Sequence, residues 1–183
     1  MSQGATIAVP GLAVTFDRRG DRYGHTICLR AGDRAVDVLH SVEGNADEPW
    51  PPSPPLQALQ CEARLGGISV ALLVGMAGKS HWSLSCQAEP EGSGIAFDVA
   101  CRVSGKPPHL GSVYRLAEDA TFDAAIGAIK VPGVPTPCRI AAAASAVGDR
   151  LTQLLRGREL VLGISGTGLT PRQTVRWKYI VSR

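Results

Sequence analysis

The sequence predicts a mainly β fold: a single antiparallel sandwich or barrel-like domain of about ten strands spanning residues 1–183, with one helix near 137–156. Three observations predict it. The first is a hairpin over Ser80 to Ser104. With Glu89 to Gly94 as its loop, Trp82 faces Cys101, Leu84 faces Val99, Cys86 faces Phe97 and Ala88 faces Ile95, so every residue of that face is apolar. The other face sets His81, Ser83, Ser85 and Gln87 against Arg102, Ala100, Asp98 and Ala96, the alternation of a sheet wetted on one side. At 44% apolar content, such a face arises by chance on the order of once in several hundred trials. The second observation is Gly32-Asp33, a two-residue loop between two strand-like runs. The third is Thr174 to Ser182, where Val175, Trp177, Tyr179 and Val181 alternate with outward Arg176 and Lys178.

Taken in order, Thr6 to Val9, Leu12 to Phe16, Tyr23 to Ala31 and Arg34 to Ser41 read as strands. The Gly32-Asp33 loop sets Leu29 against Val36, Ile27 against Val38 and His25 against His40. Glu48 to Pro55 is too rich in proline to donate to a sheet ladder and reads as a stiff surface connection. Leu59, Cys61, Ala63 and Leu65 alternate with polar residues, and Ile68 to Val74 is a near-continuous apolar run of strand length. Phe122, Ile126 and Ile129 fit helical spacing, but Gly127 leaves that segment open between helix and strand. Thr136-Pro137 ahead of Ile140, Ala144, Val147, Leu151 and Leu154, with Gly157 beyond, has helix punctuation at both ends. Gly148-Asp149 stands against that helix, since it would also serve as a hairpin turn. Glu159 to Ser165 and Thr174 to Ser182 return to strand.

Composition narrows the function classes. The chain has 183 residues with a net charge of +3, unevenly placed: residues 1–91 carry 7 basic and 10 acidic residues, residues 92–183 carry 12 and 6. The basic residues are scattered singly, without runs or interleaved aromatics, which argues against nucleic acid as partner. No window of about 18 apolar residues is present and the first residues lack a basic leader with an apolar core, so a cytoplasmic location without a membrane span is expected. The cysteines Cys28, Cys61, Cys86, Cys101 and Cys138 are odd in number, with no Cys-x-x-Cys spacing. They read as buried free thiols rather than a disulfide framework or zinc ribbon. In the hairpin register Cys86 and Cys101 lie about 13 Å apart, beyond disulfide reach.

No motif assigns a chemistry. His25 and His40, opposed on neighbouring strands, would lie about 5 Å apart and could share a metal ion, yet two ligands do not complete a site. His81, Ser83, Ser85, Asp98 and Arg102 share the polar face of the hairpin. Asp98 faces Ser85 while His81 faces Arg102 about 13 Å away, too far for an acid–base pair. That face suits partner binding instead. Gly78-Lys79-Ser80 lacks the rest of a phosphate loop, and Gly163 to Gly168 lacks the second glycine of a nucleophile elbow. Arg19-Gly20-Asp21 is a coincidental loop tripeptide, and the proline-rich run near Trp50 could be a polyproline ligand but reads first as a crossover. Residues 106–115 combine prolines with His109, Tyr114 and Arg115, the place to seek a pocket, with His81 a further candidate ligand contact. The expectation is a binding or protein-interaction module, open to self-association through a sheet edge, for an unknown protein or small-molecule partner. The alternative is a small-ligand carrier or enzyme with its pocket near the 106–115 loop. No cofactor motif is present.

Overall fold

The computed structural model describes residues 4–32, 34–63, 69–90, 92–143, 151–164 and 169–183. Among them are fifteen strands and no helix. In chain order these are β1 (Ala5–Val9), β2 (Leu12–Arg19), β3 (Arg22–Ala31), β4 (Arg34–Ser41), β5 (Ala58–Ala63), β6 (Ser69–Ala77), β7 (Ser80–Ala88) and β8 (Gly94–Arg102). There follow β9 (Leu110–Leu116), β10 (Thr121–Asp123), β11 (Ala128–Lys130), β12 (Cys138–Ala142), β13 (Leu151–Arg156), β14 (Glu159–Ile164) and β15 (Thr174–Ser182).

The strands form two antiparallel sheets. One has seven strands in the order β1-β2-β3-β4-β9-β14-β13, the other eight in the order β10-β11-β12-β15-β8-β7-β6-β5. Alternation explains the layering. Leu12, Val14 and Phe16 of β2, Ile27 and Leu29 of β3, and Leu160 and Leu162 of β14 turn inward from one sheet. Trp82, Leu84 and Cys86 meet them from the other with Phe97, Val99, Trp177 and Tyr179, all in one buried cluster. Such a two-layer sandwich is what one-sided amphipathic strands produce.

The β7–β8 register is the one read from the sequence: Trp82 pairs with Cys101, Leu84 with Val99, Cys86 with Phe97 and Ala88 with Ile95. On β15 the inward set Val175, Trp177, Tyr179 and Val181 is buried throughout. The helix over 137–156 is not found. Residues 138–142 are β12, paired with β15, and residues 151–156 are β13, paired with β14. The intervening Ala144 to Arg150 lie outside the described residues. Ile140 on the one hand and Leu151 and Leu154 on the other, spaced like a helix face, therefore belong to strands of two different sheets, and pairing to an available sheet edge overrides local helix propensity. The open segment over 121–130 is the short β10–β11 hairpin.

The proline-rich run is less superficial than its composition implies. Pro51, Ser53, Pro54, Pro55 and Leu56 are buried, and the segment ties the two sheets together along one side. Ser53 Oγ donates to the Val113 carbonyl at 3.0 Å and accepts from the Val113 N–H at 2.9 Å, near where β4 stops pairing with β9. Tyr23 N–H donates to the Leu56 carbonyl, and Gln57 N–H to that of Val74. Pro51, Pro54 and Pro55, sunk in this way, are not offered to a partner, whereas Pro49 is exposed and Pro52 half-buried.

Candidate binding surface

The histidine pair proposed for a metal does not form. A bulge between Ile27 and Cys28 shifts the β3–β4 register, so His40 pairs with Thr26 and Ile27 with Leu39. One extra residue reverses the faces beyond it. His40 points outward, where Nδ1 meets Thr26 Oγ1 at 3.3 Å and Nε2 lies 3.7 Å from Asp37. His25 points inward and is buried. No group of three or more His, Cys, Asp or Glu side chains suited to a metal ion occurs among the described residues.

His25 instead belongs to a polar chain through the core. Its Nε2 is hydrogen-bonded to Tyr114 Oη at 2.8 Å, and Tyr114 Oη to Tyr179 Oη at 2.6 Å. Trp177 Nε1 donates to Ser112 Oγ at 3.3 Å. Phe16 and Phe97 lie at centroid distances of 5.2 and 5.4 Å from the imidazole. Burial, aided by the charge of Arg19, lowers the His25 pKa to about 3. Burial also raises both tyrosines. These three rings are thus neutral at ordinary pH, which suits a structural network better than acid–base work.

The four ligand-contact candidates are dispersed. Tyr114 is in the core as described. Arg115 points outward from β9 and pairs with Glu159 at 3.1 Å. His109 precedes β9 with Nε2 3.2 Å from the Pro51 carbonyl oxygen. His81 is on the other sheet. Residues 110–115, read as part of a loop, belong to strand β9, and its alternation sends Tyr114 and Arg115 to opposite faces. The cysteines also divide: Cys86, Cys101 and Cys138 are buried, whereas Cys28 is half-buried and Cys61 exposed, and all five are free.

What the eight-stranded sheet does bring together lies on its outer face. A groove of about 540 Å³ is lined by Gln57, Ala58, Val74, Gly75, Met76, His81, Trp82, Ser83, Ala100, Arg102 and Thr174. A second depression of about 480 Å³ shares Val74, Ser83, Ala100 and Thr174 and continues toward Leu72, Ser85, Asp98 and Arg176. Val74 is 55% and Met76 44% exposed, large apolar side chains facing solvent on the open face of a sheet. Asp98 is held in a two-pronged ion pair by Arg176, whose pKa it raises, while it opposes Ser85 across the strands. His81 opposes Arg102 at the other end.

At that end lies a third depression, of about 460 Å³, lined by Lys79, His81, Arg102, Val103, Ser104, Pro171 and Arg172. Sequence reasoning placed His81 and Arg102 on this face but missed Val74, Met76 and Arg172 as site residues. The available signal for the first two was the failure of alternation in β6, whose apolar run puts hydrophobic residues on both faces. Arg172 reaches the corner through a loop whose path the sequence does not encode visibly.

No helix among the described residues is long and apolar enough to cross a membrane. Comparison with family models, with curated proteins and with solved structures finds no match for this chain or its fold.

Proposed function

We propose that the protein is a non-catalytic interaction module that holds an extended, acidic and partly apolar polypeptide segment on the outer face of its eight-stranded sheet. The observation that carries this reading is the exposure of Val74 and Met76 in a groove continuous across β6, β7, β8 and β15. Exposed methionine beside a branched aliphatic residue is an adaptable apolar contact surface. The charges lining the depressions favour an acidic partner, since Lys79, Arg102, Arg172 and Arg176 stand there with Asp98, itself neutralised by Arg176. The separation of Asp98 from His81 supports binding over hydrolysis. Selection of ten-residue peptides from a displayed library tests it. Binders are expected to combine acidic with apolar residues and to lose at least tenfold in affinity to Val74→Asp or Met76→Asp. A library without binders, or binding indifferent to both substitutions, removes the reading.

A second reading, a small-ligand carrier or enzyme, is favoured by a depression of about 570 Å³ on the outer face of the seven-stranded sheet. It is lined by Pro52, Pro108, His109, Thr152, Leu154, Arg156 and Glu159 among others, and includes the directly paired Gly111 and Gly163. A ligand here would appear as added mass in a native mass spectrum and would be lost in Gly163→Leu, which fills the space beside that glycine pair. A bare mass in both proteins counts against it.

A further inference from the structure

The corner at the end of the groove has a chemistry of its own. Lys79 sits in the β6–β7 turn, His81 and Arg102 are cross-strand partners on β7 and β8, and Arg172 precedes β15. None of the four has an ion-pair or side-chain hydrogen-bond partner among the described residues, whereas Arg176 beside them is taken by Asp98. Three permanent positive charges and an imidazole thus line one depression with no carboxylate of the described residues among its lining.

Arg172 adds a second observation. Its φ is 71°, the left-handed region, and it is the one non-glycine residue with positive φ among those described. That conformation disfavours a side chain that glycine would not carry. The backbone is fixed there from outside: Arg172 N–H donates to the Val103 carbonyl at 2.7 Å, and Val103 N–H to that of Gln173 at 2.9 Å. These two bonds hold the loop to the end of β8, and Arg172 lines the corner depression from there.

We propose that this corner binds a phosphoryl group carried on the polypeptide segment that lies in the groove. A carboxylate would bring one negative charge to three fixed positive ones. A phosphoryl group brings nearly two, and its three oxygens can be shared among two guanidiniums and an ammonium. Arg clusters beside an extended-peptide groove recognise phosphorylated segments by this logic. The inference rests on the groove being a peptide site, and its test separates the two.

Amide chemical shifts of the intact protein are followed during titration with inorganic phosphate, then with a phosphoserine peptide drawn from the selected binders and its unphosphorylated counterpart. The expected result is phosphate-induced shifts confined to residues 79–81, 102–104 and 172–174, with at least tenfold tighter binding of the phosphorylated peptide. Arg172→Gly is expected to abolish that preference without lowering the unfolding temperature, because glycine accepts the backbone conformation. Arg102→Gln should reduce it as well. Shifts spread over unrelated arginines such as Arg139 and Arg158, or a phosphorylation preference that survives Arg172→Gly, overturn the proposal. So does a ten-nucleotide single strand that shifts the same residues and binds more tightly than the phosphopeptide, which would assign the corner to nucleic acid. Peptide binding that responds to Val74→Asp but not to phosphorylation removes this inference and leaves the groove reading intact.

Discussion

Tyr114 of the seven-stranded sheet and Tyr179 of the eight-stranded sheet join their hydroxyls at 2.6 Å inside the sandwich. The bond crosses the interface between two layers that meet mainly through apolar side chains, as does the bond from Trp177 Nε1 to Ser112 Oγ, and it continues to His25 Nε2 at 2.8 Å. Hydrophobic contact alone tolerates sliding of one sheet over another. A directional bond between fully buried groups does not.

Tyr114→Phe removes the shared hydroxyl and leaves both His25 Nε2 and Tyr179 Oη short of a partner. A destabilisation of about 1 to 3 kcal/mol is expected, the range for orphaned buried polar groups. Urea unfolding measures it. In a double-mutant cycle with Tyr179→Phe the two effects should be less than additive by about 0.5 kcal/mol or more, since both act on one bond. Strict additivity would show that the hydroxyls do not depend on each other.

The pH dependence of stability follows from His25. Its folded pKa is about 3 against an ordinary 6.5. Below 6.5 the unfolded chain takes up a proton that the folded chain refuses until about 3, so unfolding gains as the pH falls through that window. Stability is complete above 6.5 and declines by about 1.4 kcal/mol per unit on the way down. Unfolding midpoints at pH 7, 5.5 and 4.5 should fall steeply for the natural chain and less so for His25→Gln. Parallel profiles would mean that His25 is protonated in the folded state.

The strands that alternate cleanly were legible because burial on one face and water on the other write a period of two into the residues. β7 carries that period without interruption and β8 and β15 carry it with few breaks, such as Ala96 and Ile180 on the outer face, and the β7–β8 pairing was readable residue by residue. The β3–β4 pairing was readable only up to Leu29 and Val36. A bulge adds a residue without any compositional mark, so the opposition of His25 and His40 was inferred from a register the chain leaves at Cys28. The stretch ending in β12 and the β13 stretch fit a helical spacing because Ile140 and Leu154 happen to sit at such intervals, while their actual partners, Val181 and Val161, are distant in sequence. The candidate surface was half legible for a related reason. His81 and Arg102 come from local pairing, but Arg172 joins them through a long-range loop contact with Val103.

Trp82 tests the face assignment of the central hairpin. It is 3% exposed and meets Trp177 edge to face at 6.2 Å. Trp82→Ala is expected to cost about 3 to 5 kcal/mol through the cavity it leaves. Ser83, the next residue, faces outward, and Ser83→Ala should change stability by no more than about 0.5 kcal/mol. The two are compared by urea denaturation, and similar values for both would reverse the faces.

Gly75 tests the strap along the side of the sandwich. A Cβ at this position would stand 1.8 Å from the Pro55 carbonyl oxygen and 3.0 Å from the Gln57 nitrogen. Both neighbours are backbone, held by the bond from Gln57 N–H to Val74 and by the buried prolines before it, so no flexible side chain can yield. Gly75→Ala should therefore displace the strap and destabilise by about 1 to 3 kcal/mol, the usual cost of overpacking. Gly163→Ala is the control. Its Cβ would meet nothing closer than Thr152 Oγ1 at 3.5 Å, and alanine in a strand loses less conformational freedom than glycine, so stability should hold or rise slightly. Thermal unfolding of the two variants side by side separates a steric effect at the strap from a general cost of adding a methyl group to a strand. Equal losses at both positions would mean that Pro55 does not rest on Gly75.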